Sequence, residues 1–155
     1  MAAIHALHRL SIEVIRALAA SLGCPVDAFS RHCDDPMVLC RGLYYKGGEA
    51  SCSAHTDYGL VSLLHQTAPG LEVLRGDEWV DAPPLANDAV LVNLGDLMLR
   101  WTNDTFKSTV HRVRLPGGTS VRQAIGCFLD ANFDAQVAPL AACVKPGQAP
   151  RYAPL

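Results

Sequence analysis

From residue 37 onward the chain is a succession of short apolar runs, each closed by Gly, Pro, Asn or Asp. The runs cover residues 37–45, 60–66, 71–75, 78–82, 89–93, 98–102, 108–114 and 121–129. None is long enough for a helix of ordinary length, and their bounding residues supply turn chemistry rather than helix caps. Gly47-Gly48, Pro69-Gly70, Gly76-Asp77, Asn103-Asp104 and Pro116-Gly117-Gly118 mark the expected reversals. Eight short strands at this spacing predict an antiparallel sandwich or barrel rather than alternating βα units, and eight in two facing sheets is the jelly-roll number. The fold expected is therefore mainly β. The runs at 108–114 and 121–129 are expected to pair as a hairpin about Pro116-Gly117-Gly118.

The leading residues read differently. Ile4, Leu7, Val14, Ile15, Leu18 and Leu22 recur near a 3.6-residue period, and Gly23 followed by Pro25 ends the pattern. A second short helix is expected from Pro25 to just before Asp34-Asp35-Pro36. Residues 1–36 thus form a helical brace, and residues 37–155 a β domain. The Pro-rich tail from Val137 is expected to wrap the surface.

Composition bounds the function. At 155 residues, 50% hydrophobic and 18% charged, the chain can bury one core. Thirteen basic against fifteen acidic residues leave a net charge of −2, which gives no electrostatic case for nucleic acid or an anionic membrane. No apolar run approaches a membrane span of about 18 residues. Glu13 and Arg16 interrupt what would be the core of a secretion signal. Cys24, Cys33, Cys40, Cys52, Cys127 and Cys143 contain no CxxC pair and match no zinc-ribbon spacing, so free thiols in a reducing, cytoplasmic setting are expected.

Three elements carry chemistry. In His55-Thr56-Asp57 an imidazole and a carboxylate two residues apart share one side of an extended segment, a natural pair of metal ligands. Alone, such a pair is a common chance pattern. His111, inside Ser108-Thr109-Val110-His111-Arg112-Val113, reads alone as a core or rim histidine. Together, two histidines and one carboxylate are the ligand set of a non-haem Fe(II) site with open positions. Arg122 follows on the next run; facing a cavity it would receive a carboxylate on its planar fork, and facing solvent it would form a surface ion pair.

In order along the chain stand Ala54-His55-Thr56-Asp57-Tyr58-Gly59, Pro69-Gly70-Leu71-Glu72-Val73, Val92-Asn93-Leu94-Gly95-Asp96, Arg100-Trp101-Thr102-Asn103-Asp104, Lys107-Ser108-Thr109-Val110-His111-Arg112-Val113 and Arg122-Gln123-Ala124. With the closing Pro150-Arg151-Tyr152-Ala153-Pro154-Leu155, this series resembles the isopenicillin N synthase-like family of Fe(II)- and 2-oxoglutarate-dependent dioxygenases. The resemblance implies a double-stranded β-helix (jelly roll) with an N-terminal bracing helix. It implies His55, Asp57 and His111 as ligands of Fe(II). It implies Arg122, with Tyr45 on an early strand, as the groups that hold the cosubstrate 2-oxoglutarate. The implied activity is oxidation of a small organic substrate by O2, as hydroxylation, desaturation or ring closure. Asn93, Trp101 and Asn103 match framework positions and read first as core and turn residues.

Departures from the family pattern keep two other readings open. Ala124 replaces the serine of the usual Arg-x-Ser, which predicts weaker 2-oxoglutarate binding. Leu43 stands where many relatives carry a polar residue, and Lys46 replaces a usual proline. The family's long N-terminal region does not precede these motifs, so an apolar sheet face is expected to be exposed, to be covered by a partner or a missing segment. The alternatives are a 2-oxoglutarate-independent iron oxidase like isopenicillin N synthase, in which Arg122 would hold a substrate carboxylate, and a truncated, non-catalytic jelly-roll binding domain.

Overall fold

A computed structural model describes residues 2–46, 51–86, 89–115 and 121–155. The Gly47-Gly48 and Pro116-Gly117-Gly118 turns lie outside the described residues. Helix α1 spans Ala2–Ser21. The strands are β1 (Val38–Lys46), β2 (Ser51–His55), β3 (Val61–Gln66), β4 (Leu71–Arg75), β5 (Glu78–Asp81), β6 (Leu91–Leu94), β7 (His111–Arg114) and β8 (Val121–Leu129). A second helix, α2 (Asp96–Trp101), lies between β6 and β7.

The strands form two four-stranded antiparallel sheets, in the orders β1-β8-β3-β6 and β2-β7-β4-β5. The first strand pairs with the last, the second with the seventh, the third with the sixth and the fourth with the fifth. The chain is thus one long antiparallel ribbon coiled on itself, which is a jelly roll. Coiling is completed by β8 against β3 and β7 against β4.

That topology corrects the expected hairpin. β7 and β8 are consecutive but belong to different sheets, because each finds its partners far back along the chain. The run at 98–102 is not a strand either. Leu97, Met98 and Trp101 fall on one side of a helical turn, Met98 and Trp101 are buried, and the first amides of α2 reach the carbonyls of Asp57 and Tyr58 at 2.8 and 3.0 Å. The eighth strand is instead Ser51–His55, whose Ser, Cys and Ala residues carry no long apolar run. The second leading helix is reduced to turns and one 3-10 turn at Ser30–His32.

Helix α1 packs on β3 and β8 of the first sheet. Its fully buried seam combines Ile15 of the apolar row with the small residues Ser11 and Ala19, at four-residue spacing. Small side chains let the helix approach, and the Ser11 hydroxyl is satisfied by the Leu7 carbonyl at 3.0 Å. The helix ends in a left-handed turn at Gly23 (φ 68°), with the Cys24 amide returning to Ala19. Below it, Phe29 and Trp101 meet as tilted rings with centroids 5.7 Å apart, and Trp101 is buried, a core residue as expected. Asn103 (φ 50°) holds a turn, its amide bonding the Cys143 carbonyl and its oxygen accepting from the Arg151 amide. The tail closes by paired backbone bonds between Val137 and Leu155.

Gly95 joins β6 to α2 where the backbone passes hard against the loop after β2. A β-carbon there would lie 2.3 Å from the Gly59 carbonyl oxygen and 2.9 Å from that of Asp57. Both obstacles are main chain and cannot step aside cheaply. Gly95→Ala is therefore expected to cost about 2 kcal/mol or more, the scale of overpacking, read as a lowered midpoint in urea unfolding. An unchanged midpoint would show that the loop after β2 is freer than this packing implies.

Candidate metal centre

His55 and His111 are directly opposed residues of the β2–β7 ladder, with ring centroids 4.3 Å apart. Asp57 follows where the strand has ended and residues 56–58 run unpaired. The expected extended His-x-Asp segment is thus half strand and half loop. One ligand atom from each of His55, Asp57 and His111 lies within 4.8 Å of the others. Asp57 Oδ1 stands 3.7 Å from His111 Nε2.

The hydrogen bonds around these side chains determine which atoms are left over. His55 Nδ1 lies 2.7 Å from the Ser53 carbonyl, and His111 Nδ1 lies 3.1 Å from the Thr109 carbonyl. A carbonyl only accepts, so each Nδ1 carries the proton and each Nε2 keeps a free lone pair. Asp57 Oδ2 accepts from the Ser62 hydroxyl and from the Asn93 side-chain amide, both at 2.7 Å. Ser62 and Asn93 are themselves cross-strand partners in the β3–β6 ladder. They hold one carboxylate oxygen and leave Oδ1 for a metal. Two neutral imidazoles and one carboxylate oxygen are the donor set suited to Fe(II), so the chemistry of the residues fits that ion.

Asn93, read from sequence as framework, is a positioning residue of this centre. Ser62 escaped the sequence reading. Its signal was a polar residue inside the apolar stretch Val61-Ser62-Leu63-Leu64 that opens β3.

The three groups open into a cavity of about 130 Å³ between the sheets, walled by apolar side chains such as Leu43, Leu64, Leu71 and Val73. Arg122 also lines it and is 1% exposed, which decides against a surface ion pair. Its Nη2 donates to Gln66 Oε1 at 2.7 Å, while Nε and Nη1 are buried without a partner. Gln66 is oriented in turn by donating its own amide to the Ala82 carbonyl at 2.7 Å. Tyr45 is the cross-strand partner of Arg122, and the guanidinium carbon stands 5.1 Å from its ring centroid. Burial pulls the Arg122 pKa below its ordinary value, with Tyr45 acting the other way; burial likewise pushes the Tyr45 hydroxyl up.

Stripping water from a charge costs several kcal/mol. One hydrogen bond to a charged group returns roughly 1.5–3 kcal/mol. Gln66 alone does not offset the burial of Arg122. A carboxylate on the two unpaired nitrogens does, and that is the fit of this pocket to a dicarboxylic cosubstrate.

An eight-stranded jelly roll that closes two histidines and an aspartate over a buried arginine defines a class of non-haem iron oxygenases. The chain matches the model of the 2OG-Fe(II) oxygenase superfamily over residues 24–131, and it belongs to that family. It is 35% identical over 150 residues to homoarginine-6-hydroxylase 2-ODD-233 of Oryza sativa subsp. japonica, covering 88% of this chain and 45% of that protein. It is 32% identical to validamycin A dioxygenase of Streptomyces hygroscopicus subsp. limoneus, covering 90% and 42%. Among solved structures, a full-length Neurospora crassa protein in complex with alpha-KG superposes with a TM-score of 0.88 at 31% identity, covering 98% of this chain and 51% of that one. The chain spans about half the length of the curated relatives it matches.

If Ser62 and Asn93 hold the metal-facing carboxylate in place, removing either loosens the site without touching a ligand. Asn93→Ala is expected to weaken Mn(II) binding, followed by electron paramagnetic resonance, by about 10–100-fold. Equal affinity in the variant and the parent would remove Asn93 from the centre.

Proposed function

We propose that this chain is the catalytic half of an Fe(II)- and 2-oxoglutarate-dependent dioxygenase that oxidises a small organic molecule. The observation that carries the reading is the meeting, in one cavity, of three convergent ligand atoms with a buried arginine short of hydrogen-bond partners. His55, Asp57 and His111 would hold Fe(II), and Arg122 with Tyr45 would hold the far carboxylate of 2-oxoglutarate. Fe(II), when bound, supplies the redox chemistry that couples O2 and 2-oxoglutarate to substrate hydroxylation, desaturation or ring closure.

The chain's own part is geometric. Backbone carbonyls fix both imidazole tautomers, so neither ring has to move a proton to coordinate. Ser62 and Asn93 hold Asp57 by one oxygen, so it presents the other. Gln66 orients the guanidinium of Arg122. The apolar walls keep water from the space between. Among described residues His55 is exposed, as are Tyr44 and Ile125 on the outer side of the first sheet. A further segment or partner over these surfaces belongs to the same reading. So does the division into a brace of residues 1–36 and a catalytic domain of residues 37–155. The six cysteines, all thiols, support a cytoplasmic setting. No helix among the described residues is long and apolar enough to cross a membrane.

The decisive experiment adds Fe(II) and 2-oxoglutarate to the chain without oxygen and then admits air with a candidate substrate set. A visible charge-transfer band followed by succinate is expected. Iron binding without the band would favour the 2-oxoglutarate-independent oxidase, and no iron binding would leave only a binding domain.

Ala124 lies two residues after Arg122 on the same inward face of β8, opposite Gln66 of β3. A serine there would add one hydrogen bond near the cosubstrate carboxylate. Ala124→Ser is expected to tighten 2-oxoglutarate binding by about ten- to a hundredfold, the worth of a charged hydrogen bond, measured by titrating the band. No tightening would mean that Gln66 already takes the serine's place.

A further inference from the structure

Cys40 of β1 and Cys127 of β8 are directly opposed in the antiparallel ladder. Their sulfurs lie 2.7 Å apart. Directly opposed antiparallel residues hold their Cα atoms about 4.5–5.5 Å apart. A disulfide spans about 4.4–6.8 Å, so the backbone already has the separation such a bond needs. Both side chains point to the outer face of the first sheet, into the core under α1, away from the metal-facing cavity. Cys127 is fully buried, whereas Cys40 is half-buried.

We infer that Cys40 and Cys127 are an oxidisable pair, which a small hydroperoxide closes into a disulfide joining β1 to β8. Cys40, the less buried of the two, is the point of entry, while burial, followed by the neighbouring Cys40, pushes the Cys127 thiol up to about 12. The Cys40 thiolate attacks one peroxide oxygen; the O–O bond breaks, leaving a sulfenic acid on Cys40 and, after protonation, water. The Cys127 sulfur then attacks the Cys40 sulfur and displaces hydroxide, which leaves as water with the Cys127 proton. Two thiols and one hydrogen peroxide become one disulfide and two waters, the sulfurs losing the two electrons that the peroxide gains. The second step gains from the fixed proximity of the two sulfurs, which offsets the poor nucleophilicity of a thiol that stays protonated.

The bond would matter because β1 is an edge strand with β8 as its one neighbour in the sheet. Five positions further along the same ladder stand Tyr45 and Arg122. A cross-link would keep these two in register through any fraying of the edge. It would also close a long loop, which stabilises chiefly by restricting the unfolded chain.

The test treats the metal-free chain, in chelator, with a slight excess of hydrogen peroxide. Thiols are then titrated in denaturant, and non-reducing peptides are mapped by mass spectrometry. The expected result is two fewer thiols, a linked Cys40–Cys127 peptide two hydrogens lighter, and a thermal midpoint raised by several degrees and returned by dithiothreitol. Cys40→Ala is expected to abolish both the link and the rise. Should that variant fold poorly, dithiothreitol reversal in the parent chain still decides the question. Cross-links that join other cysteines, over-oxidation of Cys40 without a link, or six thiols surviving the treatment would each overturn the inference.

Discussion

The pairing of β2 with β7 is the contact on which the rest of this molecule's chemistry depends. It sets His55 opposite His111, residues far apart in the chain, with their rings 4.3 Å apart. The pair is not left to itself. β4 flanks His111 on its other side through Val73, and α2 ties down the loop that carries Asp57. The centre is therefore a consequence of how the ribbon coils. Two of the three candidate ligands come from one arm of the coil and the third from the other.

The facing sheet supplies the matching constraint. Ser62 and Asn93 meet across the β3–β6 ladder and grip the same oxygen of Asp57. Each sheet thus contributes what the other lacks: one sheet carries the histidines, and the other decides which carboxylate oxygen remains free. Shifting β3 against β6 by one residue would turn one of the two donors away from the other.

Arg122 shows the same division of labour at the other end of the cavity. A guanidinium with two unpaired nitrogens in an apolar enclosure is a poor choice for stability alone, because a hydrophobic side chain would fill the space at no electrostatic cost. Gln66, braced against the Ala82 carbonyl, holds one nitrogen of the guanidinium and leaves Nε and Nη1 without a partner. Ala124, two residues after Arg122, stands opposite the same Gln66 across the β3–β8 ladder.

Much of this was legible in the residues. Short apolar runs bounded by turn residues specified a β architecture, because strand period and turn chemistry are local properties of the chain, while the ligand set was what the family resemblance of the ordered motifs implied. What the sequence could not decide were the contacts made at long range. The run at 98–102 is too short for its period to separate strand from helix, and the Asp57 and Tyr58 carbonyls, which take the amides of Asp96 and Leu97 just before it, settle the matter. The separation of β7 from β8 into different sheets, the grip of Ser62 and Asn93 on Asp57 and the meeting of Cys40 with Cys127 all arise from the register of strands far apart in sequence. Register follows from closing the whole coil around one core, and no single segment carries that information.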